Sequence, residues 1–155
     1  MKKRYCSIVC LMLFLLLSCF CVAPAFAVDL PETTTEVIRY EDGSYLTIEL
    51  AVYDSIVARV TGTVSGRKVT SYRNSDNELL WDFTVHGTFK YDGTTATATD
   101  ASYSYNIYNS AWKLKSAEAY CSGNQAIAEG KFNGGFLLNR STSITLTCSP
   151  TGVLS

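Results

Sequence analysis

Residues 80–93 read Leu-Trp-Asp-Phe-Thr-Val-His-Gly-Thr-Phe-Lys-Tyr-Asp-Gly, and this stretch decides the fold class. Trp81, Phe83, Val85, Gly87, Phe89 and Tyr91 take the odd positions; Asp82, Thr84, His86, Thr88, Lys90 and Asp92 take the even ones. Side chains alternate between faces along a strand, so this order collects the large apolar groups on one side and the polar groups on the other. A helix would scatter them around its circumference. Asp92-Gly93 closes the run with a turn signal. From Trp81 to Tyr91 an extended chain spans roughly 35 Å, about twice a usual strand. Gly87, on the apolar face, predicts a bend, a bulge or the close approach of another backbone.

The same two-residue rhythm continues on both sides. Upstream, Glu36–Tyr40 and Ser44–Tyr53 are joined through Glu41-Asp42-Gly43, a hairpin signal, with Leu46, Ile48, Leu50 and Val52 on one face. Ile56, Ala58, Val60, Gly62 and Val64 form a second stripe; Ser65-Gly66 predicts a turn into Arg67–Arg73, and Asn74–Asn77 another. Downstream, Ala96 and Ala98 alternate with threonines, and Tyr103, Tyr105 and Ile107 with Ser102, Ser104 and Asn106. Turns at Asn109-Ser110, Ser122-Gly123-Asn124 and Asn133-Gly134-Gly135 separate the remaining runs. Residues 112–119 have helical propensity, but strands flank them on both sides, so they are read as strand. The pattern predicts a single antiparallel all-β domain of about 8–10 strands, a β-sandwich or a small up-and-down barrel.

Lys2, Lys3 and Arg4, the apolar run from Ile8 to Val22 and Ala25-Phe26-Ala27 have the form of a secretory signal peptide over residues 1–27. Residues 28–35, with Pro31 and a threonine run, read as a flexible arm, and 36–155 as the β-domain. The expected location is therefore secreted, with lipid anchoring at Cys19 as the alternative. Without residues 1–27 the chain keeps ten basic against fourteen acidic residues, a charge of −4. It has no basic patch, which argues against nucleic acid or an anionic membrane surface as partner, and it lacks a later apolar run of spanning length. Cys121 and Cys148 then remain, with 26 residues between them. In an exported chain they read as one disulfide, worth about 3.5 kcal/mol if unstrained. A redox or metal pair would need closer spacing or further ligands.

Four short pieces of sequence carry a resemblance: Tyr-Arg-Asn-Ser at 72–75, Leu-Trp-x-Phe-x-Val at 80–85, Gly-Thr-Phe-x-Tyr-x-Gly at 87–93, and Gly-Val-Leu-Ser at 152–155. With Ser122-Gly123-Asn124 and Leu146-Thr147-Cys148, they resemble a group of small exported proteins of Gram-positive bacteria with an all-β domain of unknown function. The resemblance implies an exported β-domain and supplies no catalytic residues. It also implies a partner for Cys148 near Thr99, where this chain has Cys121 instead.

Candidate chemistry is sparse. His86 is the only histidine, and Asp82, four residues along the same face, lies about 13 Å away, too far to orient its ring. No metal ligand set and no cofactor motif is expected. Tyr103, Tyr105, Tyr108 and Trp112 fall within ten residues and form the candidate binding cluster, since flat rings with polar tips suit extracellular recognition. The same alternation also suits core filling by Tyr103, Tyr105 and Trp112, which leaves Tyr108, out of phase, as the exposed one. These features favour an exported non-enzymatic domain that binds an extracellular or cell-envelope molecule. The alternatives are a barrel carrying an apolar ligand lined by Trp81, Phe83, Val85 and Phe89, and a hydrolase using His86.

Overall fold

Alternating apolar positions and turn residues resolve into eight strands: β1 (Thr35–Arg39), β2 (Tyr45–Val52), β3 (Gly62–Arg73), β4 (Leu79–Tyr91), β5 (Ala96–Ile107), β6 (Lys113–Ser122), β7 (Gln125–Asn133) and β8 (Asn139–Thr147). The computed structural model describes residues 35–53, 61–135 and 138–155. The expected signal peptide, Cys19, residues 28–34 of the arm and the stripe from Ile56 to Val60 lie outside the described residues. Thr35, read as the end of the arm, opens β1.

Every pairing is antiparallel and joins neighbours in the chain, giving one sheet ordered β1-β2-β3-β4-β5 and a second ordered β6-β7-β8. The two sheets do not close on each other, so of the two expected architectures the sandwich is the one formed. Gly43, Gly93 and Gly123 adopt the left-handed φ values their turns require, +80°, +83° and +59°. Within β5 the register against β4 slips between Thr88 and Phe89. The slip leaves Thr99 as the extra residue of a bulge and moves the inward phase from Ala98 to Tyr103 and Tyr105.

The core lies between β3–β5 of the wide sheet and the narrow sheet. Trp81, Phe83, Val85 and Phe89 are fully buried. Trp81 stacks on Phe132 of β7 with ring centroids 3.9 Å apart and planes 4° from parallel, and Tyr72 stacks on Trp81 at 5.1 Å. Three rings thus form a column from one sheet to the other. Thr70 also points into this core, and its hydroxyl has no hydrogen-bond partner among the described residues. A buried, unpaired hydroxyl carries a desolvation penalty, so the nearly isosteric Thr70→Val should raise stability by about 1 kcal/mol. Urea titration of both proteins checks this, and a fall in the midpoint would contradict it.

Three expectations need correction. Ser65-Gly66 is not a turn: β3 runs straight through it, with Gly66 paired to Gly87 on β4 and to Val52 on β2. The glycine serves packing instead, because a Cβ there would sit 2.5 Å from Leu154 Cδ1. Leu154 is brought there by the chain after β8, which turns at Gly152 and returns so that Ser155 and Thr147 exchange two backbone hydrogen bonds, each 2.9 Å. Gly87, in turn, marks close approach: an added Cβ would lie 2.8 Å from Ala126 Cβ of β7 and 2.8 Å from the Phe89 ring.

The second correction concerns the cysteines, which are both free thiols, Cys121 exposed and Cys148 buried. Cys121 aligns with Ala126, and Ala126 with Leu146. Cys148 is therefore two strand spacings and two residues away from Cys121, roughly 12 Å between Cα atoms. A disulfide tolerates about 7 Å. Burial pushes the Cys148 thiol upward from its ordinary pKa, which keeps it protonated and unreactive. The third correction, at Tyr103 and Tyr105, belongs to the site.

A polar cluster fastens the sheets at one end. From β8, Arg140 donates to the Asp42 carboxylate in the β1–β2 turn and to the Tyr72 hydroxyl at 3.1 Å, and its guanidinium lies over the Tyr40 ring at 4.6 Å. The Tyr72 hydroxyl in turn donates to Ser44 Oγ at 3.0 Å. Asp42 is held below the usual carboxylate range, first by hydrogen bonds from Ser44 and then by Arg140.

Candidate binding surface

β5 is an edge strand of the wide sheet, and its tyrosines are placed by register against β4. Tyr103 stands opposite Val85 and Tyr105 opposite Phe83, both core residues, so both tyrosines point to the inner face. They are nevertheless 39% and 45% exposed. This overturns the expectation that Tyr103 and Tyr105 fill the core. The Tyr103 ring lies 5.6 Å from that of Phe83.

The other two aromatics go elsewhere. Tyr108 is exposed, and its hydroxyl donates to Asp82 Oδ2 at 2.6 Å on the outer face, a bond that raises the phenol above its ordinary pKa. Trp112 is buried, edge-on to Tyr72 at 5.1 Å. The four-residue cluster is therefore divided. Tyr103 and Tyr105 remain together, Tyr108 lies on the opposite face, and Trp112 belongs to the core.

On that outer face His86 Nε2 is 2.9 Å from Ser104 Oγ. Asp82 does not complete a triad, because its carboxylate accepts from Tyr108, from the Asn106 backbone N–H at 3.1 Å and from the Asn106 amide at 3.0 Å. What faces His86 from β3 is Arg67. Partial burial and then the Arg67 charge hold the imidazole below its ordinary pKa. In a Ser-His-Asp triad the group beside the imidazole is instead a carboxylate, which stabilises the imidazolium.

A second feature escaped the linear reading. Across the outer face of the narrow sheet runs a groove of about 450 Å³, lined among others by Glu118, Glu129, Lys131 and Ser143. Glu118 and Glu129 are direct cross-strand partners, and Ser143 continues their row on β8. The signal was present in the turn: two residues, Gly123-Asn124, joining Ser122 to Gln125 set a register that places position 118 opposite 129. Scanning each strand separately for paired carboxylates cannot find a pair that two strands share. Tyr120 adjoins the row, its hydroxyl donating to Glu129 Oε1 at 3.1 Å.

Among the described residues no group of three histidine, cysteine or carboxylate side chains is arranged to hold a metal. Trp81, Phe83, Val85 and Phe89 pack into the core, where the carrier reading has them lining a ligand cavity. The chain matches no protein-family model, no curated protein and no solved structure.

Proposed function

We propose that this chain is an exported, non-enzymatic binding module whose partner is an extracellular or cell-envelope molecule. One observation carries the reading: Tyr103 and Tyr105 stand side by side, two residues apart on an edge strand, with about two-fifths of each surface open. Water-exposed tyrosine offers flat apolar area at a low cost in side-chain freedom, which makes it a common anchor of binding surfaces. The export expected from residues 1–27 and the lack of a basic run in the sequence fit such a partner.

Truncating an aromatic anchor commonly costs 2 kcal/mol or more of binding, so the double variant Tyr103→Ser/Tyr105→Ser should reduce retention on sedimented bacterial cell-envelope material by at least about 10-fold. Its stability should change by no more than about 2 kcal/mol, because neither ring is a core residue. Undiminished retention by a folded double variant would refute the assignment.

A further inference from the structure

We infer that the outer face of β6–β8 is a separate site, for a neutral or amine-bearing sugar chain. The groove there has the volume of a small-ligand site. Its floor is built in rows: Glu118, Glu129 and Ser143 in one, Ser116, Lys131 and Ser141 in the next, about 7 Å further along the strands. Among the described residues no ion pair engages Glu118, Glu129 or Lys131. Glu118, Lys131 and the Glu129 oxygen not bonded to Tyr120 are therefore available to a ligand.

Two further points narrow its chemistry. Like charges placed directly opposite on neighbouring strands repel, so the Glu118–Glu129 pair gains from any ligand that donates hydrogen bonds or brings positive charge. Hydroxyl and amine groups do both, while serine hydroxyls and the Lys131 ammonium meet the ligand's acceptor oxygens. Beside the pair, Tyr120 is 42% exposed, with its ring tethered through its hydroxyl to Glu129. A ring held next to hydrogen-bonding carboxylates matches a pyranose, which is apolar on its C–H face and polar around its rim. Two carboxylates against one ammonium disfavour polyanionic chains. The site uses none of the β5 tyrosines, so it stands or falls separately from the reading given above.

The test is calorimetric titration of the purified chain with cellohexaose, chitosan hexamer and an oligogalacturonate of the same length. At least one of the first two should bind, and the acidic oligomer at least 10-fold more weakly. Tyr120→Ala and Glu129→Gln should each weaken binding 10-fold or more, whereas Tyr103→Ser/Tyr105→Ser should leave it unchanged. Glu118→Gln, on an exposed position of an edge strand, serves as the alternative should either variant fail to fold. Absence of binding by both cellohexaose and chitosan, equal binding of the acidic oligomer, or binding that survives these substitutions would overturn the inference.

Discussion

Replacing Trp81 by alanine should lower the unfolding free energy by about 3–5 kcal/mol, the range for removing a fully buried indole. This ring has no exposed surface and touches both sheets, stacked on Phe132 at 3.9 Å and on Tyr72 at 5.1 Å. Its removal opens a cavity at the junction and strands two aromatic neighbours. A small domain has only about 5–15 kcal/mol of stability in total, so the loss should be visible as a fall in thermal midpoint on the order of 15 °C. Trp81→Phe keeps a ring in the column and deletes an indole N–H that has no partner among the described residues. It should cost less than half as much. Circular dichroism melts of the three proteins check the order, and equal midpoints for wild type and Trp81→Ala would mean that the column is not the centre of the fold.

The second large effect is expected from added volume. Gly87→Val should destabilise by about 3 kcal/mol, at the upper end of the usual overpacking cost. Even the first carbon of the new side chain would arrive 2.8 Å from Ala126 Cβ and 2.8 Å from the Phe89 ring. Ala126 Cβ can move only with the β7 backbone and the Phe89 ring is fully buried, so neither can give way cheaply. If contact with β7 is the cause, Gly87→Ala combined with Ala126→Gly should be more stable than the two single changes predict, by about 1 kcal/mol or more. Strict additivity in denaturant titrations would assign the glycine to some other role.

Much of the fold could be read from period-two alternation and turn residues. The hairpin around Asp42-Gly43, the long β4 strand, and the shared face of Ala126, Ala128, Gly130 and Phe132 follow directly from those patterns. What could not be read arises between segments distant in sequence. Gly66 has the composition of a turn, and only the arrival of Leu154 from the far end of the chain explains a glycine in mid-strand. The separation of Cys121 from Cys148 depends on β7 lying between them. Tyr103 and Tyr105 have the alternation of core residues, and their exposure depends on how the narrow sheet packs over β5, which local pattern does not encode. Sandwich and barrel differ in whether β5 and β6 pair, and the side chains of Ala96–Ile107 and Lys113–Ser122 are compatible with both. The carboxylate row on β6 and β7 was within reach, since a two-residue turn sets its register.

The returning segment at Leu154 imposes an order of assembly. Each hairpin from β1 to β5 pairs neighbours in the chain, so loop closure is short and the wide sheet can grow progressively from local pairs. The notch over Gly66, however, is filled by Leu154, nearly ninety residues further along the chain, so this contact closes a much longer loop than any hairpin of the wide sheet. Until that segment docks, the row at Gly66 lacks the side chain that fills it, so Leu154→Ala should leave a cavity against β3 and lower stability by about 2–4 kcal/mol.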